Sequence, residues 1–376
     1  MPSTPLRVVH HTGSPVDDDW ADLSRLYARQ ALDALTAAPA TVDGRWEHVV
    51  VDVSPDGSWR TAHSVDGLDG AERLDRADGL ALLASLGADV AVPQLFCPPG
   101  LTDHRSLLAL LGIPSVGNPA GVMGLTADKA MTRAVVASAG VAVPDAVLVR
   151  RGDALPELTG PVVVKPVDAD NSSGVRLVDD SSALADAVDA ALERSRAALV
   201  ETFVPLGREV RCGTIVRHGE LLALPLEEYA VDPVTKPIRG EDDKLARSDD
   251  GDLHLVAKDV EHAWIVADDD PDVAAVHDVA RRSHVALGCR HHGLIDVRID
   301  PDGVPWFLEA GPYCSFAPAS VVVTMAQAIG IDLVELFTDA VEAALAGSDP
   351  WAAVPTEAVA AGAAHGVPDH REDASQ

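Results

Sequence analysis

The sequence predicts a parallel α/β unit followed by an α+β region, and three observations carry that expectation. Buried-type apolar runs alternate with amphipathic helical periods through the first 125 residues, the pattern of β-α-β units whose parallel sheet is covered on both faces. After Pro144 the pattern changes to closely spaced short apolar strands with one helix among them. Near the end, Asp302-Gly303 lies between two alternating runs, the signal of a two-residue antiparallel hairpin. A chain of 376 residues allows two or three such units.

Taken in order, strands are expected over 8–10 and 48–53 and helices over 20–38 and 71–86. A strand over 90–94, a helix over 103–111 and a short strand ending at Gly117-Asn118 complete the first unit. No G-x-G-x-x-G follows the first strand, so a dinucleotide fingerprint is absent. A helix over 126–139 opens on the N-cap Thr126 and stops at Gly140, which puts a boundary near Leu125. Strands follow over 146–149, 161–165, 174–178, 198–203, 209–216 and 220–226, with a helix over 182–194. The acidic stretch 232–259 is long enough to be a functional loop or lid. A helix over 272–287, the hairpin over 295–309 and helices over 317–329 and 333–345 finish the fold. The expected division is 1–125 (parallel α/β), 126–205 (central α+β), 206–350 (C-terminal antiparallel sheet) and 351–376 (a frayed tail).

Charge narrows the function. The chain carries 29 Lys+Arg against 59 Asp+Glu, a formal net charge of −30, which repels phosphate backbones and anionic membranes. The N-terminus lacks a basic segment followed by an apolar one, and no uncharged run reaches bilayer-spanning length. Cys97, Cys212, Cys289 and Cys314 form no C-x-x-C pair, against a disulfide framework or structural zinc. The expectation is a soluble cytoplasmic protein with free thiols that binds neither nucleic acid nor membrane.

The hairpin carries the sharpest chemical inference. In the two-residue register Asp296 faces Glu309 and Arg298 faces Phe307, with all four on one face of the sheet. Two carboxylates opposed in a ladder repel unless a cation lies between them, and hard oxygen donors suit Mg²⁺. The alternatives are that Arg298 neutralises one acid or that the register slips. Lysine supplies a second inference. Only five occur (Lys129, Lys165, Lys236, Lys244 and Lys258), and Lys165 ends an apolar strand where its charge needs a partner. The small-residue loop 168–174 that follows offers N–H groups and hydroxyls to a phosphate, or is a plain strand turn; the P-loop pattern is absent. Glu201-Thr-Phe-Val204, followed by Glu209, is either a shelf for adenine and ribose or a surface connection.

Together these pieces resemble the ATP-grasp enzymes, and within them the D-alanine–D-alanine ligase branch. Lys129 in Asp-Lys-Ala-Met, Lys165 with its Ser-rich loop, Glu201-Thr-Phe-Val, Glu209, Lys244, Gly-Leu-Ile-Asp296 and Phe-Leu-Glu309 occur in that family's order from about Leu107 to Leu336. The resemblance implies an ATP-grasp fold, ATP and Mg²⁺ as cofactors, and usually a homodimer. By the same resemblance Lys129 and Lys165 contact the α/β phosphates, and Ser172, Ser173 and Gly174 close over the γ phosphate. Glu201, Thr202 and Val204 meet adenine, Glu209 the ribose, and Lys244 the terminal phosphates. Asp296 and Glu309 hold Mg²⁺, and Ser320 binds the carboxylate of the attacking amino acid.

Departures from the family pattern are as specific. Gly311 stands where Glu-x-Asn would supply a ligand of a second magnesium. Leu294 replaces the arginine two residues before the metal-binding aspartate, for which Arg298 is the expected catalytic and substrate-binding substitute. The segment Gln94 to Arg105 replaces the family's first-substrate loop, and only Asp17–Asp19 approximate its N-terminal glutamate. That segment, together with 311–318, whose Ser315 is an expected substrate contact beside Ser320, resembles specialised-metabolism members that join an amino acid to an unusual carboxylate or amine. The mycosporine-type and γ-glutamyl dipeptide ligases are such members. The expectation is therefore an ADP-forming carboxylate–amine ligase of natural-product biosynthesis acting on small amino-acid and carboxylate substrates. A true D-alanine–D-alanine ligase and a non-ligating nucleotide-binding protein are the alternatives.

Overall fold

The computed structural model describes residues 5–37, 44–169, 172–232, 234–235, 237–239, 245–247, 253–255 and 262–347. Lys244 and the tail 351–376 lie outside them, as does most of the proposed lid.

The first sheet has the order β3-β2-β1-β4. Strands β1 (Leu6–Gly13), β2 (Trp46–Val53) and β4 (Val90–Pro93) run parallel. The parallel expectation therefore holds, with one strand missed: β3 (Trp59–Ala62), a four-residue antiparallel edge. Helices α1 (Asp18–Ala37), α2 (Arg76–Ser85), α3 (Pro98–Leu101) and α4 (Asp103–Leu110) accompany the sheet. The helix expected over 71–86 starts late because Asp75, whose side chain accepts from the Asp78 amide, is the true cap. The strand expected at Gly117-Asn118 is reduced to a single bridge, Ala91 to Ser115. The helix expected over 126–139 is two: α5 (Ala120–Thr126) and α6 (Lys129–Ser138), the latter capped by Asp128 through the Met131 amide. Thr126 ends a helix rather than starting one.

Histidines run through this unit. His10 donates from Nδ1 to Gln94 Oε1 (3.0 Å), because the Gln94 amide nitrogen is itself donating to the Ser315 carbonyl. His10 Nε2 then accepts from His48 Nδ1 (3.0 Å). His11 likewise donates to the Val51 carbonyl and accepts from His104 Nδ1 (2.8 Å). Burial pushes His10 and His11 down to about 3 and His48 to about 4. They are neutral in the folded chain at pH 6 while the unfolded chain, near 6.5, takes up protons. Stability is therefore lost as pH falls below about 6.5, at up to about 1.4 kcal/mol per pH unit for each histidine. Urea unfolding at pH 7.5 and 5.5 is expected to show that loss, and equal midpoints would contradict it.

The second sheet, β5-β8-β6-β7, is antiparallel: β5 (Ala146–Val149), β6 (Val162–Pro166), β7 (Arg176–Val178) and β8 (Ala198–Thr202). Helix α7 (Leu184–Arg194) buries Leu184, Ala187, Val188 and Ala191 against Val162, Val164 and Val200. The third sheet, β13-β10-β9-β14-β15, is also antiparallel. Its strands are β9 (Arg208–Arg217), β10 (Glu220–Tyr229), β13 (Ala263–Ile265), β14 (His292–Ile299) and β15 (Pro305–Ala310). Between β10 and β13, β11 (Leu245–Arg247) pairs with β12 (Leu253–Leu255). Helix α8 (Val273–Leu287) packs on the face made by Val210, Cys212, Ile295, Val297 and Phe307. Strand alternation then sends Glu209, Arg211, Asp296 and Arg298 to the opposite face. Helices α9 (Val321–Ala328) and α10 (Leu333–Leu345) close the C-terminal core with Phe316 and Met325. All four cysteines are buried and free, and burial raises Cys212 and Cys289 to about 12.

The hairpin corrects the expected register. Asp296 does pair with Glu309, but a bulge follows, so Val297 pairs with Phe307 and Arg298 with Trp306. The turn has three residues rather than two. Gly303 N donates to Asp300 O, Asp300 N donates to Val304 O, and Gly303 takes φ +83°. Asp300 steadies it by accepting from the Asp302 and Val304 amides and from the Trp306 indole. The extra residue turns Phe307 into the core, where it is 1% exposed. Phe307 therefore does not share the face of Asp296 and Arg298.

Candidate active site

One cleft collects residues from the second and third sheets and from α6. Its lining includes Lys129, Lys165, Ser172, Glu201, Thr202, Val204, Glu209, Asp296, Arg298 and Glu309. Lys129 opens α6, Lys165 and Glu201 sit near the ends of β6 and β8, Asp296 and Glu309 lie on β14 and β15, and Ser172 and Val204 come from loops. Ser173, Gly174, Ser315 and Ser320 do not line it. Ser173 accepts from Arg194 Nη1 (2.9 Å). A side chain at Gly174 (φ +74°) would press on Pro166 and Arg194, while Ser172, also left-handed at φ 60°, turns into the cleft. Ser315 is buried, accepting from the Ala317 amide (3.3 Å) with its side chain and from Gln94 with its carbonyl. Ser320 is the N-cap residue of α9 and makes no side-chain capping bond.

Charges in the cleft are matched pair by pair. The Lys165 ammonium meets Glu201, which Arg133 also approaches at 3.8 Å. Lys129 Nζ lies 3.3 Å from Glu309 and donates to the Ala169 carbonyl. Arg211 was missed by the sequence reading. It grips both oxygens of Asp296, from Nε at 2.5 Å and Nη2 at 3.0 Å. Its only signal was the i, i+2 spacing from Glu209. Arg239, also missed, stacks 3.7 Å above the Tyr229 ring.

Arg298 lines the cleft and has three acceptors of its own. Its Nη2 donates to Glu209 Oε2 (2.5 Å) and the Pro237 carbonyl (2.9 Å), and Nη1 donates to the Val204 carbonyl (3.2 Å). At 4% exposure it holds the segment beside Glu201 while still lining the cleft, and its Nε has no hydrogen-bond partner among the described residues. The backbone groups expected for adenine are partly taken too: Val204 O serves Arg298, and Thr202 N donates to Asp145 O (2.8 Å). The segment from Gln94 to Arg105 is structural at both ends. Gln94 bridges β1 to Ser315, and Arg105, 5% exposed, donates to the Asn118 and Pro93 carbonyls. Asp17 accepts from the Trp20 amide at the start of α1.

The family of D-ala D-ala ligase C-terminal domains matches residues 136–342. A D-alanine–D-alanine ligase of Mycolicibacterium gilvum is 32% identical over 344 residues, covering 80% of this chain and 89% of the relative. That of Nocardia farcinica is 29% identical over 337 residues, with the same coverage. The chain belongs to the D-alanine–D-alanine ligase family. It is an amide-bond-forming ligase of the ATP-grasp kind, with ATP and Mg²⁺ as its cofactors. Solved structures agree in fold. The VanG D-Ala:D-Ser ligase of Enterococcus faecalis superposes with a TM-score of 0.71 at 18% identity, covering 90% of this chain and 99% of that one. The D-alanine–D-alanine ligase of Bacillus anthracis complexed with ATP gives 0.67 at 18% identity, covering 91% and 98%.

The residues present fit Mg²⁺. Asp296 and Glu309 are opposed in the ladder and both line the cleft. Among the described residues no group of three or more His, Cys, Asp or Glu gathers to hold a metal. Mg²⁺ needs no such cage, since it takes one or two carboxylates and completes its shell with water and phosphate. Among the described residues, no single helix is long and apolar enough to cross a membrane.

Proposed function

We propose that this ligase condenses two small amino acids, and that D-alanine is the first substrate to test at both positions. The observation that carries the nucleotide part is the cleft, which brings together Lys129, Lys165, Ser172, Glu201, Glu209, Asp296 and Glu309, residues from 180 positions of the chain. The names of the relatives support D-alanine over the natural-product reading, whose sequence basis included the now structural segment Gln94 to Arg105. One observation keeps a different amino-acid pair as the second reading: Leu294 packs into the C-terminal core, so no arginine reaches the site from that position.

In the proposed reaction a carboxylate takes the γ-phosphoryl group of ATP, and an amine displaces phosphate from the resulting acyl phosphate. Lys129 and Lys165 neutralise phosphate charge in a part-buried cleft. Ser172 presents its hydroxyl and backbone toward the terminal phosphate, and Glu209 accepts from the ribose. Asp296 and Glu309 would hold Mg²⁺, which adds positive charge at the phosphate oxygens. Lys244 remains a proposed contributor from the acidic segment. Ser315 and Ser320, which lie outside the cleft lining, remain proposed amino-acid contacts. The reading places the reaction in the cytoplasm, in a homodimer. ADP release with D-alanine alone, D-alanine plus D-serine and glutamate-containing pairs tests it. D-alanyl-D-alanine as the main product is the expected result, and ADP release only with unrelated pairs would favour the second reading.

Arg298 has its own expected outcome here. Lys at 298 cannot serve Glu209, Val204 and Pro237 together, because an ammonium lacks the planar fork. Arg298→Lys is expected to raise KM for ATP at least about tenfold and leave KM for the amino acids nearly unchanged. A variant whose amino-acid KM moves instead would return Arg298 to a substrate role.

A further inference from the structure

One transverse row of the third sheet carries charge across four strands. Glu227 on β10 pairs with Arg211 on β9, Arg211 with Asp296 on β14, and Asp296 with Glu309 on β15. Lys129 closes the row at Glu309, 3.3 Å away. At the other end the Tyr229 hydroxyl donates to Glu227, and Arg239 lies over the Tyr229 ring. Among the described residues, three acids thus stand among three cations. The two carboxylates suited to Mg²⁺ each already have a cation, and Asp296 has its cation on both oxygens.

A divalent ion approaching this face alone meets two carboxylates that each already face a cation, with a guanidinium fixed beside one of them. Unit charges a few ångströms apart in a part-buried cleft interact strongly enough to cancel most of the attraction that a bare carboxylate pair would exert. ATP changes the balance by bringing its own negative oxygens, and Mg²⁺ is bound readily through phosphate and one or two carboxylates. We infer that Arg211 is a positioning residue that sets the order of binding: it blocks the Asp296–Glu309 pair against free divalent cations, so the metal enters only with the nucleotide. The inference rests on the reading of this cleft as the nucleotide site. It assigns Arg211 a role that composition and spacing did not indicate. Chain position explains why, since the charge that answers Asp296 comes from 85 residues earlier.

Mn²⁺ titration followed by electron paramagnetic resonance tests this without turnover. The wild-type protein alone is expected to leave millimolar Mn²⁺ largely free, and to bind one Mn²⁺ once a non-hydrolysable ATP analogue is added. Arg211→Gln is expected to bind Mn²⁺ without nucleotide at least about tenfold more tightly than the wild type, because a blocking charge is gone. Arg211→Lys keeps the charge and is expected to behave as the wild type. Should Arg211→Gln fail to fold by circular dichroism, Lys129→Gln removes the other blocking cation and is expected to move nucleotide-free Mn²⁺ affinity the same way. Tight Mn²⁺ binding by the nucleotide-free wild type, or no gain in the folded neutral variants, overturns the inference. Analogue binding measured separately, by fluorescence with and without metal, distinguishes the two failures. If the analogue binds and the order is wrong, only this inference falls; if it does not bind at all, the reading of the cleft falls first.

Discussion

Glu309→Gln is expected to leave the fold intact and lower turnover by at least about a hundredfold. The side chain is 32% exposed, and its partner Lys129, 9% exposed, keeps the Ala169 carbonyl as an acceptor while the glutamine amide oxygen can still accept from it. What is lost is one of two carboxylates opposed across β14 and β15, and with it the oxygen pair suited to a hard divalent cation. Steady-state ADP release across a Mg²⁺ series, with a thermal melt as the fold control, gives the answer. Normal turnover of the variant at low Mg²⁺ would remove Glu309 from the metal assignment. A melt that collapses would mean the glutamate is structural.

The pairing of Asp296 with Glu309 was expected from a two-residue turn, but the protein reaches it through a three-residue turn and a bulge whose offsets cancel. Its physical rationale was less complete than it looked. Repulsion between the two acids is relieved in the protein by Arg211 and Lys129, from strand and helix segments far away in sequence. A cation is therefore not required to make the ladder stable, and the metal argument rests on donor chemistry and cleft exposure instead. The same blindness to long-range partners left the surroundings of Arg298 incomplete: its face was correctly placed, while Glu209, 89 residues earlier, takes one of its donors there. The bulge after Asp296 was invisible because one extra residue changes no composition, yet it buries Phe307. Short elements failed for a related reason. Strand β3 has four residues and is held by pairing to β2 more than by its own pattern. Gly311 behaves differently: a side chain there would meet only Tyr313 at 3.7 Å, so the fold does not demand glycine, and the missing donor is a chemical departure rather than a packing one.

Replacing Lys165 with Met is expected to cost both stability and catalysis, and the two losses can be separated. Lys165 and Glu201 are 9% and 3% exposed and meet diagonally across β6 and β8, whose register pairs Lys165 with Leu199 and Glu201 with Val163. Removing the ammonium leaves the Glu201 carboxylate buried with, among the described residues, only the Arg133 guanidinium as a charge partner, at 3.8 Å. Breaking such a pair from one side costs about 3–5 kcal/mol, so the unfolding midpoint should fall clearly. Removing both charges, in Lys165→Met with Glu201→Met, should recover most of that stability, because no lone ion remains buried. Turnover should not recover. An ammonium has three donors, so the bond to Glu201 leaves two for phosphate, and that charge is absent from both variants. At least about a hundredfold loss of turnover is expected in each. Lys165→Arg should keep the fold and regain only part of the rate, since a planar fork does not reproduce a compact point charge. A double variant that regains both stability and turnover would reduce Lys165 to a structural partner of Glu201. A single variant that turns over normally would take Lys165 out of the nucleotide site altogether.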